Sequence, residues 1–332
     1  MQVHSGAPST DKVGIVILNW NGREVLLDCL RSVSRLRYPH FEVIVVDNGS
    51  RDGSKEMLAR DFPGVLRIEN DVNLGFATGN NQGIRLALER GHDYVMVLNN
   101  DTILDADCLT WLVRRAQSDS QIGAVSPKIY FAEPTDRLWF AGGTFNYWTG
   151  RNGHVGYKSP DTGAWDTPRE IQFACGCSFL APRCVWQEVG GFDERFFRSS
   201  EDVDWSVRVQ KAGYKSFYEP SSIVWHRESF DIIRNEGLAG ILYFWTRNNL
   251  AVMYKHARWY HWLTFLPCFG ALTLKRTLVA LRIRDWATIK ALLRGVGDFY
   301  PLAREIRASG RQEKFALDTS IEFVEDCAAN VK

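Results

Sequence analysis

Residues 13–53 read VGIVILNWNGREVLLDCLRSVSRLRYPHFEVIVVDNGSRDG. Val13 to Leu18 is a short unbroken apolar run, and Phe41 to Val46 is a second. Runs of this kind suit strands buried on both faces of a parallel sheet. Between them Val25, Leu26, Cys29, Leu30 and Val33 recur at helical spacing, so a helix is expected over Glu24 to Leu36. Each apolar run ends in polar turn residues: Asn19-Trp20-Asn21-Gly22 after the first, Asp47-Asn48-Gly49-Ser50 after the second. Strand, helix and parallel strand with a right-handed crossover is the unit of an α/β sheet covered by helices on both faces.

The same alternation continues outward. Val65 to Ile68 reads as a third strand. The glycine-rich segment Asn73 to Gly83, NLGFATGNNQG, leads into a helix expected over Ile84 to Glu89. Tyr94 to Leu98 is a fourth strand, ending in Asn99-Asn100-Asp101. Ligands of such sheets bind beyond the carboxyl ends of the strands, where these polar clusters fall, so the expected site is of nucleotide size. No G-x-G-x-x-G follows a strand and no G-x-x-x-x-G-K-[ST] occurs, which argues against a dinucleotide site and a Walker-type ATPase. Taken singly, Asp47 and Asp101 are also what ordinary strand-end turns use.

Composition narrows the class. The 332 residues are 45% hydrophobic and include twelve tryptophans, enough for a large core. A formal charge of +1 argues against a general nucleic-acid binder. Seven cysteines without a secretory signal are expected to be reduced thiols, and no second Cys or His pair stands near Cys175 and Cys177 to complete a zinc site. Residues 1–12 read as a loose lead-in.

Gly190 to Tyr214, GGFDERFFRSSEDVDWSVRVQKAGY, carries the chemistry. Phe192, Phe196 and Phe197 are expected to anchor a loop. Ser199 to Asp202 fits a capping box opening a helix that Gly213 stops. Glu201 and Asp202 then stand at a helix N-terminus, where the dipole favours an ionised carboxylate, as a general base requires. The plainer reading is that both acids only cap the helix.

VGIVILNWNG, VIVVDNGSRDGS, NLGFATGNNQGI, VMVLNNDTIL and the Gly190–Tyr214 block stand in an order that resembles the inverting, nucleotide-sugar-dependent glycosyltransferases of GT-A fold, in their rhamnosyltransferase-like and galactofuranosyltransferase-like bacterial branch. The resemblance covers roughly Val13 to Asn249. It implies an α/β, Rossmann-like, mostly parallel sheet over residues 13–249 with a helical C-terminal region over residues 250–332. It also implies roles. Asp47 would meet the nucleobase, with Asn19, Asn73, Gly75, Asn80 and Asn100 lining the donor nucleotide. Asp101 would be the last acid of a metal-binding Asp-x-Asp whose first acid is Asn99 here, and His226 would complete the metal site for Mn²⁺ or Mg²⁺. Asp202 would be the catalytic base. Gly176, Glu201, Asp204 and Trp225 would lie on the acceptor side. Arg247, in LYFWTRNN, would reach the diphosphate, although a plain ion pair is an equal use of it. Without the resemblance, His226 reads as a buried hydrogen-bonded histidine.

Gly123 to Tyr130 reads as a further strand, and Phe140 to Gly156 as a β-ribbon or a loop. Tyr147, Trp148 and Trp165 could stack on sugars or pack in the core. Trp259 to Leu274 is an apolar run of sixteen residues, short of the ~20 needed to span a bilayer and interrupted by Pro267 and Gly270. Val279, Ile283, Trp286, Ile289, Leu293 and Val296 follow at helical spacing with Arg276, Arg284, Lys290 and Arg294 among them. Residues 255–300 are therefore expected to meet a membrane surface, or else to pack on the catalytic domain or on a second subunit of a homo-oligomer. The expected partners are a nucleotide diphosphate sugar and a glycan or lipid-linked glycan, with no nucleic acid, at the cytoplasmic face of the cell membrane. Rival readings are a non-catalytic nucleotide-sugar-binding or scaffolding relative and a sugar-nucleotide pyrophosphorylase. The latter would want a basic phosphate loop where Asn19 to Gly22 stands.

Overall fold

A computed structural model describes residues 10–227 and 231–310, the first six of the latter by their backbone alone. The lead-in before Thr10, expected to be loose, and the tail after Gly310 lie outside the described residues. The chain runs β1 (Val13–Asn19), α1 (Arg23–Val33), β2 (Phe41–Asn48), α2 (Ser54–Asp61), β3 (Leu66–Asn70), α3 (Gly75–Glu89), β4 (Tyr94–Asn99), β5 (Thr102–Leu104), α4 (Cys108–Gln117) and β6 (Ile122–Phe131). Then come β7 (Leu138–Phe140), β8 (Gly143–Asn146), β9 (Arg151–His154), β10 (Arg169–Ile171), β11 (Ser178–Pro182), α5 (Arg183–Val189), α6 (Glu201–Lys211) and β12 (Lys215–His226). Three helices close the described chain: α7 (Asp231–His256), α8 (Trp262–Arg282) and α9 (Trp286–Ala308).

The central sheet has the order β10-β12-β6-β11-β4-β1-β2-β3, with β5 paired to β12 and β7 to β6. β4, β1, β2 and β3 are mutually parallel, and β12 is parallel to β6. β11 enters antiparallel between β4 and β6. Alternation along β1 explains the unbroken apolar run: Ile15 and Ile17 join one core cluster and Val16 the other, so both faces of the strand are buried. An aromatic group, Phe179, Trp186, Phe192 and Trp205, fills the second cluster beneath α6, with the two indoles 4.4 Å apart.

Three expectations about where helices run change here. The glycine-rich segment does not merely lead into a helix; it forms the first half of α3, which starts at Gly75. A Cβ at Gly79 would stand 2.3 Å from Leu18 and one at Gly83 2.4 Å from Val16, so these glycines let α3 lie close on β1. Pro267 does not interrupt the apolar run; α8 continues through it. The periodic stretch after Val279 is two elements, because Asp285 caps α9, its Oδ1 accepting from Thr288 N at 3.0 Å. The domain boundary expected at Asn249 falls inside α7, whose Leu250 to Met253 belong to the first core cluster. Phe140 to Gly156 does contain a ribbon, β8 paired with β9.

Candidate active site

Parallel register brings the strand-end residues into one row: Asn19 stands opposite Asp47, Leu18 opposite Asn99, and Asp47 opposite Glu69. Asn19, fully buried, donates from Nδ2 to Asp47 Oδ2 at 3.0 Å and to Ser50 Oγ at 3.2 Å. Its Oδ1 accepts from Asn100 Nδ2 at 2.8 Å. Asp47 Oδ1 accepts from Ser50 N at 2.8 Å. Asn48 donates to Asn73 Oδ1 at 2.9 Å, and that oxygen also accepts from Gly75 N at 2.9 Å. Asn19, Asp47, Asn73, Gly75 and Asn100 are thus gathered at one end of the sheet. Asn80 lies inside α3, with Nδ2 donating to Phe76 O at 2.9 Å and a buried Oδ1 that makes no hydrogen bond. Asn48 and Ser50, which tie the row together, were not among the candidate residues. Their signal was the run Asp47 to Ser50 itself.

Asn99 N donates to Cys177 O at 2.9 Å, which binds the β4 end to the segment just before β11. One residue earlier, Gly176 N donates to Asp202 Oδ2 at 3.0 Å. Asp202 Oδ1 accepts from Val203 N at 2.8 Å. A chain of contacts therefore runs from Asp47 through Asn19 and Asn100 to neighbouring Asn99, across to Cys177, and from the adjacent Gly176 to Asp202. Burial pushes the Asp202 carboxyl above its usual range, against the pull of these two backbone N–H groups. Glu201 is driven further up, by burial first and then by the Asp202 charge. The pair can share one proton, with the charge on Asp202. Such a carboxylate is a stronger base than an exposed one.

Asp101 and His226 meet at 3.1 Å between Oδ1 and Nε2, both nearly buried. The indole of Trp139 stands edge-on to the imidazole at 4.5 Å. His226 Nδ1 is buried and makes no hydrogen bond. Among the described residues no group of three His, Cys, Asp or Glu could hold a metal. Asp101 Oδ1 and His226 Nε2 side by side still fit a divalent cation whose other ligands are diphosphate oxygens and water, the usual arrangement for Mg²⁺ and the oxygen-rich end of Mn²⁺ chemistry. His154 lies near His226, and burial lowers it to about 4, so it is a neutral neighbour.

The structure moves three candidates elsewhere. Asp204 is not on the acceptor side; it is fully buried against Lys255, Arg208 and His256. Trp225 alternates with His226 along β12 and faces the other side of the sheet, stacked on Tyr130 at 6.4 Å. Arg247 is committed to the protein: it donates to the carbonyls of Arg195 and Phe196 at 3.0 and 2.8 Å and lies over the Tyr243 and Phe244 rings. Tyr147 stacks on His261 at 5.3 Å, and Trp148 O accepts from Thr264, so the ribbon tip packs on the start of α8.

The capping box is also replaced. Ser199 and Ser200 both adopt left-handed backbone, with φ of 66° and 73°, and neither side chain caps α6. Phe197 also has a positive φ, 63°, but with ψ of −59°, in a tight turn where Arg198 N donates to Phe196 O at 2.7 Å. Three residues of positive φ in four cost backbone energy that something must offset. Asn248 Nδ2 does so, lying 3.1, 2.7 and 2.7 Å from the carbonyls of Phe196, Arg198 and Ser199. Phe197 stacks on Phe244 at 5.4 Å, and its carbonyl accepts from Ala77 N at 3.2 Å. Asn248→Ala is expected to cost about 1–3 kcal/mol, as for buried acceptors left without a donor. It should lower turnover more than donor affinity. Urea unfolding and a kcat-against-KM comparison measure the two effects, and an unchanged stability would refute the latch.

A polar row beyond the parallel strands, a paired Asp and His beside it and a raised carboxylate on the next helix define the GT-A class of nucleotide-sugar transferase. Within it, residues 14–179, half of the chain, match glycosyl transferase family 2, and the chain belongs to that family. It is 28% identical over 239 residues to the N-acetylglucosaminyl-diphospho-decaprenol L-rhamnosyltransferase of Mycobacterium tuberculosis, covering 66% of this chain and 77% of that one. It is 29% identical over 232 residues to the O-antigen biosynthesis protein RfbC of Myxococcus xanthus, covering 66% of this chain but 18% of that much longer one. In fold it is similar to GalNAc-T7 solved with UDP, GalNAc and Mn²⁺, with TM-score 0.55, 17% identity and coverage of 72% and 50% of the two chains. It is also similar to the mannosyltransferase PcManGT of Pyrobaculum calidifontis solved with GDP-Man and Mn²⁺, with TM-score 0.53, 16% identity and 88% coverage of each chain.

Proposed function

We propose that this glycosyltransferase moves one sugar, with inversion, from a nucleotide diphosphate sugar to a hydroxyl of a lipid-linked glycan in bacterial surface-polysaccharide synthesis. The observation that carries the reading is the Asp202 carboxylate, raised by burial and oriented by Gly176 N and Val203 N. It takes the proton of the acceptor hydroxyl as that oxygen bonds to the anomeric carbon. The bond from that carbon to the diphosphate oxygen breaks at the opposite face, and the nucleoside diphosphate leaves with the electron pair. One displacement gives one inversion. Asp47, held by Asn19 and Ser50, offers acceptor oxygens suited to the N3–H of uracil or thymine. Asp101 and His226 would hold a divalent cation, which when bound neutralises charge on the departing diphosphate.

The Mycobacterium relative, by name, uses a diphospho-decaprenol acceptor and transfers L-rhamnose, which supports dTDP-rhamnose as first donor and a lipid-linked acceptor at the inner membrane face. A UDP-hexose is second. Both structural neighbours hold Mn²⁺, which supports a metal. The test is a panel of dTDP-, UDP- and GDP-sugars with Mn²⁺ or Mg²⁺ and lipid-linked acceptor extract, following nucleoside diphosphate release. One donor is expected to be consumed, and chelation with EDTA is expected to remove at least about 99% of turnover, since Lewis-acid help is worth several kcal/mol. Binding of a donor without turnover of any would favour the non-catalytic reading, which Asn99 in place of an acid keeps in view.

A further inference from the structure

Fifteen large apolar side chains stand exposed among the described residues, and eleven of them lie between Trp259 and Tyr300. Such concentration is unusual on a water-facing surface. α8 turns Phe265, Phe269 and Ala280 inward, while Leu263, Leu266, Leu274, Leu278 and Leu281 point out. Just beyond, Ile283 and Trp286 are 67% and 65% exposed. The charge on this stretch has one sign. Residues 258–294 carry seven Lys or Arg against a single acid, Asp285, whose carboxylate is spent on capping α9. Lys275, Arg282, Arg284 and Lys290 are exposed among the apolar side chains.

Trp259–Arg282 is long and apolar enough to cross a membrane, and only 17% of its most apolar window is buried. Its inner face is nevertheless tied to the catalytic domain along its length. Phe269 stacks with Trp245 at 6.3 Å, Arg276 lies 3.9 Å over the same indole, and Thr264 donates to Trp148 O at 2.7 Å. Crossing a bilayer would strip those contacts; lying in its surface keeps them and buries the outer face.

We propose that the outward face of α8 and the start of α9 seats the enzyme in the plane of a bilayer containing anionic lipids. The apolar stripe enters the acyl boundary, and the exposed Lys and Arg meet the headgroup phosphates. A hollow of about 310 Å³ lined by Leu238, Leu242, Leu272, Val279 and Ile283, with Lys275 and Arg276 at its wall, adjoins this face. The purpose of such seating rests on the lipid-linked acceptor reading; the surface itself does not.

The experiment is vesicle co-sedimentation of the full chain with phosphatidylcholine alone and with phosphatidylcholine containing phosphatidylglycerol. Partition is expected to be at least about tenfold greater on the anionic vesicles, since several exposed Lys and Arg would lie at the charged surface. Leu274→Glu with Leu278→Glu should abolish it, while the melting temperature and nucleoside diphosphate binding stay as in the wild type. Lys275→Gln with Lys290→Gln, which leaves the apolar stripe intact, should reduce the anionic preference severalfold. Absence of sedimentation with either vesicle overturns the proposal. So does a concentration-dependent dimer that the double Glu variant dissolves, because the face is then a subunit interface. Either outcome leaves donor turnover with a water-soluble acceptor untouched, so failure here is distinct from failure of the transferase reading.

Discussion

Asp202→Asn is expected to lower sugar transfer by about a hundred- to ten-thousandfold, the range for loss of a general base. Donor affinity should change by less than about twofold, the spread of a surface-sized effect. The substitution is nearly isosteric. The amide oxygen can still accept from Gly176 N or Val203 N, the two groups now on the carboxylate, so the loop stays in place while the charge goes. Initial rates with the preferred donor, set beside nucleoside diphosphate titrations, separate the two quantities. Full activity in this variant would mean that the carboxylate only trims the helix end and that the base lies elsewhere. Glu201→Gln is the paired control. Burial and the Asp202 charge raise Glu201 well above the usual carboxylate range, which favours its neutral form, and Gln resembles that form. It should lose far less. The pH profile carries the same signature. Asp202 must be ionised to act, and its pKa is raised, so the acid limb of kcat/KM should lie above the ordinary Asp range and fall away as pH drops through it.

The parts of this molecule that were legible in the sequence are those governed by near neighbours. The apolar runs of β1, β2 and β4 and the polar residues at their ends are local signals, and they locate both the sheet and the rim of the site. What was not legible depends on residues far along the chain. Gly79 and Gly83 weaken a helix judged on propensity, yet contact with Leu18 and Val16 across some sixty residues makes glycine the residue that fits. Ser199 and Ser200 match a capping pattern, but Asn248 draws the carbonyls of Arg198 and Ser199 into another geometry. Trp225 was placed by resemblance alone, with no element assigned to the residues that form β12. Glu219-Pro220-Ser221-Ser222 lies inside that strand, and the structure absorbs it as a register shift between Glu219 and Ile223. With that strand in view, simple alternation would have set Trp225 and His226 on opposite faces.

Asp204 illustrates the same dependence with the largest consequence for stability. It lies on α6 two residues beyond Asp202, but its carboxylate points into protein: 2.5 Å from Lys255 Nζ, 2.8 Å from His256 Nε2 and 2.9 Å from Arg208 Nε. Lys255 also meets Asp193 at 2.6 Å, so two carboxylates and their cations join α6, the Asp193 turn and the end of α7. Burial alone would raise Asp204; Lys255, Arg208 and His256 outweigh it and hold the carboxyl well below the usual range. Asp204→Ala leaves these buried cations short of a partner, and removal of one member of such a group costs about 3–5 kcal/mol. At about 2–4 °C per kcal/mol for domains of 150–250 residues, melting should fall by on the order of 10 °C. The pH dependence has a definite sign. A depressed carboxylate contributes stability that is present above its unfolded pKa and lost as pH falls towards the folded one. His256 is depressed too, by burial above all, so its contribution is present above the ordinary histidine pKa and declines as pH falls below it. The stability supplied by Asp204 and His256 should therefore decrease from about pH 6.5 downward, and Asp204→Ala should flatten the acid end of the curve relative to the wild type. A denaturant series across pH, with activity read on the same samples, checks both effects. Because the group anchors the helix that carries Asp202, lost activity should track the unfolded fraction and recover on cooling. Loss of turnover in a fully folded Asp204→Ala sample would instead make Asp204 part of the reacting site, against its complete burial.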